Sequence, residues 1–160
     1  MEQLLQSLKT RFPGLCFIPG KSFYWSPATK EIYYASDDEA VSATWSLLHE
    51  TAHALLGHTT YVLDFELLDL EMAAWQKAKE LGNDFNLVIT DDHIENCLDS
   101  YRDWLHRRSV CPSCGTQVLQ HDAGNEYTCF NCRSAWRVTP SRFCRPYRQS
   151  APKTKSPVTF

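Results

Sequence analysis

Nowhere does this chain approach the eighteen or so consecutive apolar residues that a membrane-spanning helix needs, so no membrane partner is expected. The N-terminus also lacks the basic start, apolar middle and small-residue cleavage site of a secretory signal. A reducing cytoplasm is therefore the expected compartment. There is no internal repeat, which argues against a solenoid or propeller. Nor is there an overall basic excess: the 160 residues sum to a formal charge of −3. With 43% hydrophobic and 22% charged residues the composition is that of a globular protein, not of a disordered one.

What is present is unevenly spread. Residues 1–108 carry 9 Lys/Arg against 17 Asp/Glu, a balance of −8, and residues 109–160 carry 7 against 2, a balance of +5. Opposite signs suggest two parts with two jobs, or one part docking on the other. The length suits one compact domain plus a small module. Seven cysteines in a reducing compartment point to metal ahead of disulfides.

Residues Met1 to Phe12 read as a short amphipathic helix on Leu4, Leu5, Leu8 and Phe12. Three aromatic-rich or apolar runs follow, Leu15–Ile18, Ser22–Trp25 and Glu31–Ala35, separated by Pro/Gly and Ser-Pro turn signals. They predict a small antiparallel sheet with a hairpin. Ser36 with Glu39 three residues on forms a capping-box pattern, opening a helix that runs to Gly57. A second helix is expected over about Leu63–Leu81, ending at Gly82-Asn83. A third should begin near Thr90 and end near Arg107-Arg108, with acidic and basic ends that complement its dipole. The expected fold class is α+β: a small N-terminal antiparallel β-sheet packed on a three- to four-helix core over residues 1–108. A zinc ribbon over 109–145 and a disordered basic tail over 146–160 complete it.

The run His49-Glu50-Thr51-Ala52-His53 lies inside the first long helix, between Leu47-Leu48 and Ala54-Leu55-Leu56. Positions i and i+4 share one helix face, so both imidazoles can reach one cation. Glu50, beside them, can take a proton from a water on that cation, the chemistry of a zinc metallopeptidase. A third ligand is needed. Glu71 is best placed, because Leu67, Ala74, Trp75 and Ala78 surround it on one helix face, and a carboxylate aimed into a core needs something to neutralise it. Asp64, on the same face, and His58 are the alternatives, whereas Glu66 and Asp69 fall on the solvated side. Zinc is the expected metal, although two histidines and a carboxylate also suit manganese or iron. For an oxyanion stabiliser the third helix offers His93, Tyr101 and His106, with Tyr101 also reading as a core residue.

Cys111-x-x-Cys114 and Cys129-x-x-Cys132 are separated by fourteen residues, a strong zinc signature. Four thiolates complete a tetrahedron, so this second zinc is structural. Gly115 suits the turn after the first pair, and Asp122-Ala123-Gly124-Asn125 could turn a hairpin between the pairs. Cys16 and Cys97 read as small core residues, and Cys144 and His121 as outside candidates for the ribbon metal. Arg133, Arg137, Arg142, Arg145 and Arg148 alternate with Trp136, Phe143 and Tyr147. Such a pattern can contact nucleic acid, or an acidic protein surface including this chain's own body.

The run from His49 to His58 resembles the active-site helix of the ImmA/IrrE metallopeptidases. The following Glu71-Met72-Ala73-Ala74-Trp75-Gln76-Lys77-Ala78 is similar to that family's Glu-x-x-Ala ligand helix. The resemblance covers roughly residues 15–108, and the aromatic hairpin fits the family's order of elements. It implies His49, His53 and Glu71 as ligands and Glu50 as catalytic base. It also implies a protein substrate, with repressors as the family's known targets. The chain shows no helix-turn-helix of its own. The SprT-like proteases, which act on DNA-bound proteins, also join His-Glu-x-x-His to a C-terminal zinc-binding segment, but the helix bearing Glu71 matches the ImmA/IrrE arrangement better. A catalytically silent, zinc-stabilised binding module is the remaining alternative.

Overall fold

A computed structural model describes residues 1–38, 40–121 and 124–139, with the backbone of 149 and 150. It is α+β, with four helices and small sheets. The chain divides into two packed units. The first joins Met1–Tyr61 to Leu67–Leu98, and the second joins Val62–Glu66 to the described residues from Asp99 onward. The division falls inside two helices, whereas the sequence places its boundary at residue 108.

The first unit opens with α1 (Glu2–Arg11), which buries Leu4, Leu5 and Leu8. Strands β1 (Cys16–Gly20), β2 (Tyr24–Ser26) and β3 (Glu31–Ala35) form one sheet in the order β1-β3-β2. The β2–β3 hairpin is antiparallel as expected, but β1 pairs with β3 in parallel, Phe17 opposite Ile32. The sheet is therefore mixed. A parallel pair needs a crossover, and here β2 itself is the crossover: it returns on the far side of β3 and becomes an edge. Phe17, Ile32 and Tyr34 face the core, and by the same alternation Cys16 faces solvent, so it is not the core residue expected.

Helix α2 (Val41–Leu56) begins later than the capping-box pattern suggests. Ala40 stands at its N-cap and makes no side-chain cap bond; Ser36 instead bonds Asp37, and Glu39 lies outside the described residues. Ala43, Leu47, Leu48 and Ala52 bury one face of α2 against Ala74, Trp75, Ala78, Leu81, Ile94 and Leu98 of the next two helices. Those helices are α3 (Asp64–Asp84) and α4 (Asp91–Ser109). At the start of α3, Glu66 is not simply solvated. Its Oε2 accepts the N–H groups of Val62 and Leu63 at 2.7 and 2.9 Å, satisfying donors that the first turn leaves open.

The second unit has its own core of Cys111, Val118, Tyr127, Cys129, Trp136 and Val138. Strands β4 (Glu126–Thr128) and β5 (Ala135–Arg137) pair antiparallel around Cys129–Cys132, and Gln149–Ser150 (β6) lies along β5. Val110 and Gln117 form a matching bridge around Cys111–Cys114. Pairing thus flanks each cysteine pair. The hairpin expected between the pairs is not seen among the described residues, and Asp122 and Ala123 lie outside them. Cys144 and the tail from 151 lie outside them too. No described helix is long and apolar enough to cross a membrane.

Two candidate metal centres

Helical spacing puts His49 and His53 on one face of α2, and α3 brings Glu71 up to them from the middle of its apolar stripe. His49 Nε2 lies 3.1 Å from Glu71 Oε2 and 3.1 Å from His53 Nε2, and the His53–Glu71 pair closes the triangle at 3.7 Å. Ligands about 2.0–2.1 Å from a tetrahedral zinc sit about 3.3 Å apart, so this triangle is the right size for one ion. All three residues are substantially buried: His49 and Glu71 are each 6% exposed. The His49 ring is held by stacking on Trp75, centroids 4.1 Å apart, while its Nδ1 is buried without a hydrogen-bond partner among the described residues. Burial by itself pushes the Glu71 carboxyl up, but the hydrogen bonds and charge of His49 and His53 outweigh it and hold the group well below the usual carboxylate range. The group is an anion facing two imidazoles, the donor set of a two-histidine, one-carboxylate metal site.

The other candidates fall elsewhere. Glu50 points to the edge strand, where its Oε2 accepts the main-chain N–H of Trp25 at 2.7 Å. His58 is not in the triangle; its Nδ1 lies 2.8 Å from His53 Nδ1, behind that ring. Burial and the neighbouring His53 push its pKa down. His93 packs against Trp45 and Trp75, with ring centroids 4.6 and 5.3 Å apart, and its Nε2 is 3.7 Å from Cys97 Sγ. His106 is exposed, and Tyr101 is a buried residue of the second unit.

Asp64, the second choice as ligand, is as buried as the sequence suggests but is neutralised differently. The Arg108 guanidinium meets it in a fork, Nε at 2.6 Å and Nη2 at 3.0 Å. Tyr127 donates its hydroxyl to the same carboxylate, and Gln120 accepts the Asp64 main-chain N–H at 2.8 Å. Arg108 is itself 1% exposed, donates to the Thr139 carbonyl and to Asn125, and lies over Trp104 at 4.4 Å. Its charge and five donors account for Asp64 without a metal.

The four cysteines of the second unit do converge. Cys111 and Cys132 sulfurs are 3.5 Å apart, and those of Cys114 and Cys129 3.6 Å. Four thiolates around a zinc at about 2.3 Å would be about 3.8 Å apart. The two pairs are built alike. Gly115 and Arg133, each directly after a second cysteine, take left-handed φ values of 73° and 59°. Their N–H groups donate back to the carbonyls of Cys111 and Cys129, and the N–H groups of those two cysteines donate to Thr116 and Ser134. Hydrogen bonds from Thr116 lower the Cys114 pKa to about 6, those from Ser134 lower that of Cys132, and burial pushes the Cys111 thiol up. His121 is exposed and stands outside the thiol cluster.

Among the Arg-flanked aromatics, Trp136 is fully buried and donates its indole N–H to the Arg108 carbonyl, so its face is closed to a nucleobase. Arg133 and Arg137 are exposed, Arg137 pairing with Glu126; Arg142, Phe143, Arg145, Tyr147 and Arg148 lie outside the described residues. Sequence reasoning missed Trp25 and Arg108. A buried carboxylate at Asp64 calls for a counter-charge, and Arg108 could have been sought as that partner. No local pattern marks a main-chain donor such as Trp25. No family model, curated protein or solved structure matches the chain.

Proposed function

We propose that this chain is a zinc-dependent metalloendopeptidase of the ImmA/IrrE kind, with a zinc-ribbon module held by Cys111, Cys114, Cys129 and Cys132. The observation that carries the reading is the triangle of His49 Nε2, His53 Nε2 and Glu71 Oε2, with a glutamate directly after the first histidine. Zinc held by those three residues would supply Lewis-acid polarisation of a scissile carbonyl and acidification of a water molecule. Glu50 is the proton carrier. Its Oε2 is engaged by Trp25, leaving Oε1 to take a proton from the attacking water and return it to the departing amine. A metal held for structure alone would not require a glutamate at that position, although this one also anchors the edge strand through Trp25. The four-thiol centre has no place for a substrate among its ligands, which suits a structural role. A protein substrate follows from the peptidase chemistry, and a repressor from the family resemblance alone.

The test is Glu50→Gln, assayed by elemental analysis and by cleavage of a peptide library. Both metals should remain while cleavage falls by about 10²- to 10⁴-fold. Cleavage at the wild-type rate would overturn the assigned role, and a wild-type chain with only the four-cysteine metal would overturn the peptidase reading.

A further inference from the structure

The edge strand β2 meets the metal-binding helix through Trp25, whose two N–H groups are both committed there. Its main-chain N–H points away from the β3 ladder and donates to Glu50 Oε2 at 2.7 Å. Its indole Nε1–H donates to the main-chain carbonyl of His58 at 2.8 Å. His58 lies just past the end of α2, and its ring reaches back so that the two Nδ1 atoms of His53 and His58 are 2.8 Å apart. One of those atoms must donate and the other accept. A ring that gives Nε2 to a cation carries its proton on Nδ1, so His53 donates and His58 accepts.

We propose that Trp25 is a positioning residue for the His49–His53–Glu71 centre, fixing the Glu50 carboxylate with one N–H and, through His58, the His53 ring with the other. The proposal rests on the metal-site reading above. A glutamate has several rotatable bonds, and a carboxylate pinned at one oxygen loses most of that freedom before any substrate arrives. The N–H of His58 is already tied to the helix end, donating to the His53 carbonyl at 3.0 Å, and the indole adds a second hold on the carbonyl of the same residue, whose ring orients a ligand. One residue, through its main-chain N–H and its indole N–H, thereby couples the aim of the base to the aim of a ligand, across 25 and 33 residues of sequence.

The test is chelator competition for zinc and for cobalt on the full chain, with the four-cysteine site as internal reference. Trp25→Phe keeps the ring and the main-chain N–H but removes the indole donor. It should weaken metal at the histidine site by about tenfold, shift the cobalt absorption bands of that site, and leave the thiol site unchanged. His58→Ala should do the same, and the double variant should be no weaker than His58→Ala alone, because both act on one path. Wild-type affinity and spectrum in Trp25→Phe, or losses that multiply in the double variant, would overturn the proposal. Benzothienylalanine at position 25 exchanges only the indole N–H for sulfur, and it should give the same loss even if Trp25→Phe folds poorly; unchanged affinity there overturns the proposal equally. A wild-type chain that holds no metal at the histidine site would instead overturn the metal-site reading on which the proposal depends.

Discussion

Asp64→Asn removes one negative charge and almost no volume from the start of α3, and its consequence can be worked out from the contacts around it. The carboxylate receives two bonds from Arg108 and one from Tyr127, and both Asp64 and Arg108 are buried, at 4% and 1% exposure. An amide in its place presents one acceptor where there were two, and it leaves the guanidinium without a counter-charge. Two charge-assisted bonds are each worth about 1.5–3 kcal/mol. Breaking one side of a buried ion pair costs about 3–5 kcal/mol, so the two routes agree at about 4 kcal/mol. For a chain of this size that is a fall in Tm of roughly 8–16 °C. The assay is urea and thermal unfolding, paired with elemental analysis of the folded variant. Full metal content with a large loss of stability is the expected result, since Asp64 is satisfied by arginine. A loss below about 1 kcal/mol would refute the energetic reasoning. The loss of one metal with stability intact would make Asp64 a ligand after all.

Glu71→Ala should lose the histidine-site metal and keep the thiol-site metal; two metals retained would remove Glu71 from the ligand set. In metal-free protein, Cys114, exposed and with its pKa lowered to about 6, should react with iodoacetamide at pH 7 well before buried Cys111. Metal should protect both, and equal rates in the metal-free form would contradict the Thr116 bonds. Glu66 donates no proton in its cap and its pKa is depressed by the N–H groups of Leu63 and Val62. Its contribution is therefore fully present above the unfolded value of about 4.3 and is lost as pH falls through the lower folded value. The Tm difference between wild type and Glu66→Gln should be largest near neutrality and shrink below about pH 4. A difference that grows with acid would reverse the sign of the argument.

The parts of the site visible in the sequence are those fixed by local geometry. A helix carries residues i and i+4 to one side whatever it packs against, so His49 and His53 are readable as a pair. Glu71 is readable because an acid in the middle of an apolar stripe demands a partner. Cysteine pairs with two residues between them define their own turn, and the Gly115 conformation follows. The rest depends on contacts between distant segments. The Trp25–Glu50 bond uses a main-chain donor that every non-proline residue owns, and its selection is settled by which strand becomes the sheet edge. Parallel pairing of β1 with β3 could not be told from a meander, since both bury the same alternating residues. Cys16 was recoverable: Phe17 faces the core, so its neighbour in the strand faces out. Glu66 lies on the face that periodicity marks as solvated, yet its carboxylate satisfies the helix start, a task that helical face alone does not reveal.

The two cysteine turns of the second unit differ in one respect that bears on how the module comes apart. Gly115 is at ease at its left-handed φ, whereas Arg133 carries a side chain into the same region at a cost of about 1–2 kcal/mol. The first loop is relaxed in its closed form. The second is sprung, and what keeps it shut is the shared cluster and the short β4–β5 pairing on either side of it. If the four thiols hold an ion, its withdrawal would therefore not dissolve the module evenly. The strain marks residues 129–134 as the place where disassembly should begin, and the same spring makes Arg133→Gly a substitution that should toughen the module without touching a thiol.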